Sequence, residues 1–382
     1  MDEADARLNG IMSVDVHAHP PAAGGLRTTS ELHRRFTLSV PPDDFGDLVP
    51  TTISYRWAIR TLAAELGCAP SEGGLLEASA DPSYAIRLLK ASRTASVIMD
   101  FGYGGESPVE TVSLLANCGI AMHRVSRLET IFGDLVGGLE TLDEIETELL
   151  RRLDAELEAG SIGLKSIVAY RTGLALELHS RGQVTTALAA ARSQLGAAVG
   201  PTRLLHKPLV DHLLWTSLEW ASGARLPVQF HCGFGDREID LSKSNPLGLR
   251  PVLESRQLRG APIVLLHCAY PFSREAGFLA GVYPHLYLDL SLANLHAGLV
   301  YQPVLLELLA MAPVSHVLYG SDSGASPEHF FLASVVTRRV LAAVLAEMTS
   351  AGWIEGSEVD AIASAILRDN AHALYPATAE AD

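Results

Sequence analysis

Two histidines one residue apart, His17 and His19, close the apolar segment that runs through IMSVDVH. On a strand, residues two apart point to the same side, so both imidazoles can ligate one ion from the segment's end. Alone, the pair is a weak signal. Asp15 shares that face and reads better as a supporting polar residue than as a ligand. Lys165 lies in the apolar stretch GLKSIVAY. A buried ammonium is costly, which leaves two resolutions: a salt bridge, or carbamylation to a carboxylate able to bridge two cations. His231 and His267 each end an apolar run, PVQFHC and PIVLLHC, and Asp322 ends another in VLYGSDSG. Taken singly, a structural histidine is the commoner reading, but the repeated placement at segment ends favours ligation. Imidazole and carboxylate suit zinc, manganese or iron. Two cations about 3.5–4 Å apart can share a hydroxide and polarise a substrate. Asp322 can both ligate and take a proton from metal-bound water.

Eight β-rich segments carry these residues: 11–17, 94–101, 119–129, 161–169, 226–232, 262–268, 286–292 and 316–322. Most are apolar on both faces, as buried parallel strands are. Helical sequence separates them. The clearest is 141–159, where Thr141 followed by Glu144 reads as a capping box and Gly160 ends the run. Further helices are expected near 183–198, 207–222, 247–258, 301–311, 329–349 and 357–370. This alternation implies a parallel sheet with crossover helices. Eight strands favour a single (β/α)₈ TIM barrel over residues 1–382, with an open doubly wound sheet as the other arrangement of the same strands. In a barrel the six residues above all stand at the carboxyl ends of strands, the usual active-site rim. The interval 20–93 is too long for one connection and contains helical stretches near 54–66 and 83–91. It is expected to be a helical insertion after strand one, over the active-site mouth.

The 382 residues are 48% hydrophobic and 19% charged, enough for a large core and too apolar for a disordered chain. Lys and Arg total 29 against 44 Asp and Glu, a net charge of 29 − 44 = −15, which disfavours nucleic acid as a partner. The four cysteines, Cys68, Cys118, Cys232 and Cys268, match no zinc knuckle or disulfide framework. Reduced thiols in the cytoplasm are the expectation. The first ten residues do not read as a signal peptide, and apolar runs such as PIVLLHCAY are too short to span a bilayer. A homodimer is compatible with such barrels, although no segment argues for one.

Polar residues near the strand ends are candidates for substrate contact: Arg171, Arg124, Tyr170, Asp236, Arg237 and Tyr270. Arg171 is the preferred anion contact, because guanidinium grips a carboxylate bidentately; a structural salt bridge, for instance to Glu129, is the competing reading. For Asp236 and Arg237 it is capping or surface pairing. Cys232 and Cys268 each follow a ligand candidate and read as packed thiols. Asp289 reads as barrel support, and Glu328, just after Pro327, as a partner of a helix dipole.

With HxH, Lys, His, His and Asp in that order, the chain resembles the amidohydrolase superfamily. More narrowly it resembles the amidohydrolase-2-type branch, which includes the N-terminal domain of nodulin/FluG-like proteins. The resemblance covers nearly the whole chain. It implies that His17, His19 and Asp322 hold the more buried metal, that His231 and His267 hold a second, and that carbamylated Lys165 bridges them. The branch varies at the lysine and in metal number, so a mononuclear site with an ordinary Lys165 and a catalytic or substrate-binding His267 is a second arrangement. The activity implied is hydrolysis of a C–N bond in an amide-like small molecule by metal-bound hydroxide, with a γ-glutamyl amide as one substrate class. A non-haem di-iron oxygenase and a metal-dependent decarboxylase or lyase are the alternatives on the same barrel. A metal-binding scaffold without turnover is the non-enzymatic one.

Overall fold

A computed structural model describes residues 8–39, 45–102, 108–195, 203–324 and 326–381. Eight strands form one sheet in sequence order: β1 (Ser13–Ala18), β2 (Thr94–Asp100), β3 (Ala121–Arg127), β4 (Ser161–Ser166), β5 (Val228–Phe230), β6 (Ile263–Leu265), β7 (Leu286–Asp289) and β8 (Val317–Leu318). Adjacent strands pair in parallel, for example Ser13 with Thr94 and Lys165 with Gln229. The fold is the α/β (β/α)₈ TIM barrel, with helices inserted after strand one. The strands that close on both faces are those whose sequence is apolar throughout: Val228, Phe230, Ile263, Val264 and Leu265 are all fully buried. The strands end earlier than the apolar runs suggest. β5 stops at Phe230 and β6 at Leu265, so His231 and His267 lie just beyond the ladders rather than within them.

The chain divides into two compact units. The first comprises Met1–His123, Gly235–Arg237 and Asp289–Asp382; the second comprises Arg124–Phe234 and Glu238–Leu288.

In the first unit, the segment after β1 folds into α1 (Thr29–Arg35), α2 (Ile53–Leu66), α3 (Glu72–Ser79) and α4 (Tyr84–Ala91). The sequence points to α2 and α4. The other two are short, and side-chain caps begin them: Thr28 Oγ1 accepts from Glu31 N–H, and Ser71 Oγ accepts from Gly74 N–H. A core of Leu32, Val49, Tyr55, Leu62 and Leu75 joins this insertion to Phe331 and Leu332. Those two residues belong to a 24-residue helix, Pro327–Ser350, that follows β8. The helix is long and apolar enough to cross a membrane by length and composition, but 72% of its most apolar window is buried in the protein. Between α4 and that helix lie α5 (Pro108–Cys118) in the first unit, then α6 (Leu128–Gly138), α7 (Leu142–Glu158), α8 (Arg181–Leu195), α9 (Lys207–Ala224), α10 (Arg250–Glu254) and α11 (Ser273–Val282) in the second. The short α12 (Ala293–His296) and α13 (Tyr301–Leu309) return to the first unit, and the helix at 327–350 is α14. The expected Thr141–Glu144 capping box is present on α7. The expected 183–198 helix is described as far as Leu195, and its last three positions lie outside the described residues.

Candidate metal centre

In the first unit, β1 delivers its two histidines to Asp322. His17 Nε2 lies 3.1 Å, and His19 Nε2 3.4 Å, from Asp322 Oδ1. Backbone hydrogen bonds fix this approach: Asp322 N–H donates to the His17 carbonyl and His19 N–H to the Ser323 carbonyl. Buried Asp15 ties the same two segments, its Oδ1 accepting from Ser321 N–H and His17 N–H. It supports the ligand segments, as its position two residues before His17 suggests. Burial raises its carboxyl to about 7, with Ser321 and His17 hydrogen bonds opposing. Gly320 makes the turn into Asp322 possible, because a Cβ there would sit 2.1 Å from Asp289 Oδ2. Asp322 itself takes a left-handed backbone, φ +51. For a residue with a side chain this costs about 1–3 kcal/mol and is tolerated where the surroundings over-determine it.

The Asp100 backbone fixes the His19 ring. Its Nδ1 lies 2.8 Å from the Asp100 carbonyl, which can only accept, so Nδ1 carries a proton. Nε2 then points at a carboxylate oxygen, where a shared proton or a metal ion would offset the repulsion of two acceptors. A carbonyl that fixes the imidazole tautomer in this way is the usual support of a metal-ligating histidine. The donor set therefore fits a divalent transition ion.

Two further histidines, His296 and His329, feel the Asp322 charge. His329 on α14 is buried, and its Nε2 has no hydrogen-bond partner. Its ring packs against Phe36, 5.2 Å between centroids, and His296, 6.3 Å. Burial pushes His296 down to about 4, with the Asp322 charge opposing. Burial, reinforced by His296, pushes His329 down to about 3, with Glu328 and Asp322 opposing. Both are neutral hydrogen-bonding groups near neutral pH. Neither stands at a strand end, and no local motif marks them.

In the second unit, His231 and His267 meet directly, Nε2 of His267 lying 2.9 Å from Nδ1 of His231. His231 Nε2 lies 3.0 Å from the Phe234 carbonyl and so holds the proton, leaving Nδ1 as an acceptor or ligand. Residues 267–269 all have positive φ, so Cys268 lies in a turn beyond β6 and not on the strand. Cys232 and Cys268 are buried free thiols, and burial pushes the Cys232 thiol well above its ordinary range. Gly233 is required beneath this group: its φ is +72, and a Cβ would meet the Tyr270 carbonyl at 2.1 Å. Lys165 is 1% exposed at the end of β4, in register with Arg127 of β3 and Gln229 of β5.

The substrate candidates separate. Tyr170 follows β4 in a short turn, and its ring lies 4.5 Å from that of His231. Arg171 is next to it and partly buried. Burial pushes its pKa down, and the Glu129 charge opposes this. Glu129 accepts from Ser166 Oγ at 2.7 Å, and burial raises its carboxyl. Tyr270 packs edge-on against Phe234. Asp236 and Arg237 belong to the first unit, where Arg237 is exposed and its N–H donates to the Leu38 carbonyl. Arg124 stands apart from the others. It pairs with Ser161 at the start of β4, and its guanidinium binds Glu156 Oε2 and the Glu156 and Ala159 carbonyls at the end of α7. There it neutralises a helix C-terminus, at the end of the strand opposite Lys165.

A TIM barrel with histidines and an aspartate at its strand ends defines a metal-dependent hydrolase. In the first unit His17 and His19 converge on Asp322, a donor set suited to a divalent ion; His267 belongs to the second unit. The chain belongs to the amidohydrolase superfamily, in its amidohydrolase-2 branch, and the family pattern matches residues 136–377. It is related to FluG-like proteins, being 34% identical over 229 residues to protein fluG of Emericella nidulans. That match takes 58% of this chain and 26% of fluG, so the chain spans about a quarter of the length of this curated relative. Among solved structures, a Lactobacillus casei ATCC 334 protein assigned to the metal-dependent hydrolases superposes with TM-score 0.88 at 27% identity, covering 100% of this chain and 99% of that one. Glucuronate isomerase of Caulobacter crescentus shares the fold, with TM-score 0.68 at 15% identity and coverage of 98% and 93%.

Proposed function

We propose that this protein hydrolyses a C–N bond in a small amide-like molecule, with a γ-glutamyl amide as the favoured substrate class. In this reading His17, His19 and Asp322 hold a divalent metal, and His231 and His267 are further ligands. Carbamylated Lys165 would admit a second ion. The observation that carries the reading is the convergence of the His17 and His19 Nε2 atoms on one Asp322 oxygen, at 3.1 and 3.4 Å, with the His19 ring held by the Asp100 carbonyl. A zinc, manganese or iron ion held there supplies Lewis acidity to the scissile carbonyl and acidifies a water.

The chain's own residues account for the rest. The Asp322 carboxylate holds the proton taken from the attacking water and delivers it to the leaving nitrogen. The reaction balances as amide plus water giving carboxylic acid plus amine. His296 and His329, held neutral by burial, donate or accept hydrogen bonds without adding charge beside that carboxylate. Arg171, partly buried and adjacent to Tyr170, grips the substrate's carboxylate. Tyr170 holds the His231 ring by packing against it.

The test is turnover of a panel of γ-glutamyl amides by the purified, metal-loaded chain, with amine release followed with and without oxygen. Hydrolysis that proceeds without oxygen is expected. Asp322→Asn should reduce kcat by a factor of about 10² or more, as loss of a general acid-base does. Undiminished turnover in that variant would overturn its role, and a strict need for oxygen would overturn the hydrolytic reading.

A further inference from the structure

The first unit contains a cavity of about 920 Å³ that the metal chemistry does not use. It is built from α2, the end of α4, α14 and the residues that lead into β1 and β2. Met12 and Arg93, which immediately precede those strands, line it. It therefore lies at the amino ends of the strands, whereas His17 and His19 lie at the carboxyl end of β1.

Its charge is opposite to that of the protein. Five cations line it, Arg60, Lys90, Arg93, Arg338 and Arg339, against one carboxylate, Glu65. In a chain with 29 basic and 44 acidic residues, five to one in a single cavity is a strong local reversal. Arg338 is 4% exposed and fixed, donating to Ser334 Oγ and to the Leu8 and Arg93 carbonyls. Burial, with Arg93 adding like charge, pushes it down to about 10 against the opposing Tyr319. Among the described residues no carboxylate is in an ion pair with Arg338. Arg60, Lys90 and Arg339 are exposed, and among the described residues none of the three is in an ion pair. Their guanidinium and ammonium groups are available to an anion.

A smaller apolar pocket of about 270 Å³ adjoins it, and Trp57, Arg60 and Arg339 line both. Ile53, Leu295, Val336 and Val340 are among the other residues of the smaller one. An indole at the junction of a cationic cavity and an apolar pocket suits a ligand with a flat ring at one end and several negative charges at the other. We propose that this cavity binds a nucleoside phosphate, with the phosphates on Arg60, Lys90, Arg93 and Arg339 and the base against Trp57. Stacking on an aromatic ring and charge-assisted bonds to phosphate are the two interactions it would use.

The test is calorimetric titration of the full chain, freed of metal by chelation, with ATP, AMP and inorganic tripolyphosphate at low and high salt. Saturable binding of ATP is expected, tighter than that of tripolyphosphate and weakened by salt. Arg60→Glu with Arg339→Glu, both surface changes, should weaken ATP by at least about tenfold and leave the melting curve of the ligand-free protein unchanged. Trp57→Ala should remove the advantage of ATP over tripolyphosphate. Asp322→Asn should bind ATP as the parent does, which separates this site from the metal reading. No saturable binding, binding indifferent to the double substitution, or equal affinity for ATP and tripolyphosphate would each overturn the proposal.

Discussion

Arg35→Ala is the perturbation that most sharply tests how the insertion is held to α14. Glu328 is 0% exposed in the first turn of α14. Its carboxylate receives Arg35 Nη1, the Tyr84 hydroxyl at 2.5 Å and the Ser326 hydroxyl at 2.7 Å. Burial pushes this carboxyl up, but the Arg35 charge and the two hydroxyls outweigh it, and the group sits below its ordinary value. Removing Arg35 leaves a buried carboxylate without its counter-charge, which costs about 3–5 kcal/mol. The Arg35 side chain is 16% exposed, so the lower half of that range applies. The entropy of unfolding is about 2.1 cal/mol/K per residue, or about 0.8 kcal/mol/K over 382 residues. The melting temperature should therefore fall by about 4–5 °C in a calorimetric scan. Glu328→Gln combined with Arg35→Ala removes both charges and should recover most of the loss, because the penalty belongs to the unpaired charge. A single variant within about 1 kcal/mol of the parent, or a double variant no better than the single, would refute the reasoning.

Two other outcomes follow from the same physics. His329 has an unfolded value near 6.5 and a folded value near 3. Above 6.5 neither state binds the proton. As pH falls below it the unfolded chain gains a proton that the folded one refuses until about 3, so stability is lost by up to about 1.36 kcal/mol per pH unit over that window. His329→Gln removes the titration, and denaturant midpoints of the metal-free protein should then fall less steeply between pH 6 and 4 (roughly the centre of that window); parallel acid limbs would contradict it. Thr141→Ala breaks the reciprocal capping box with Glu144 on α7. It should cost about 1 kcal/mol without altering metal content, as read by urea unfolding and elemental analysis; no measurable change in the urea midpoint would contradict it.

Much of the barrel is legible in the sequence because its strands are buried on both faces. PVQF and PIVLL need no alternation to declare themselves, and the residue that ends each run is a ligand candidate by position alone. The strand lengths are less legible: apolar burial continues into the turns carrying His231 and His267, while the ladder stops sooner. The helices α1 and α3 escape because each has about two turns and little apolar period. The second contains Gly73 and Gly74, so its Ser71 cap and its burial of Leu75 decide the matter. His296 and His329 escape for a different reason: tertiary packing of α12 and α14 brings them together within the electrostatic reach of Asp322, which no local pattern records. Arg124 shows the reverse, since proximity to a strand suggests a site role while its register with Ser161 places it at the far end.

The central claim is that strand-end histidines and Asp322 hold a divalent metal, and elemental analysis of protein purified without chelator tests it most directly. The parent should carry at least one equivalent of zinc, manganese or iron per chain, and His17→Ala and His267→Ala should each lose most of it while remaining folded by circular dichroism. A parent with no stoichiometric transition metal, or variants that retain all of it, would contradict the account.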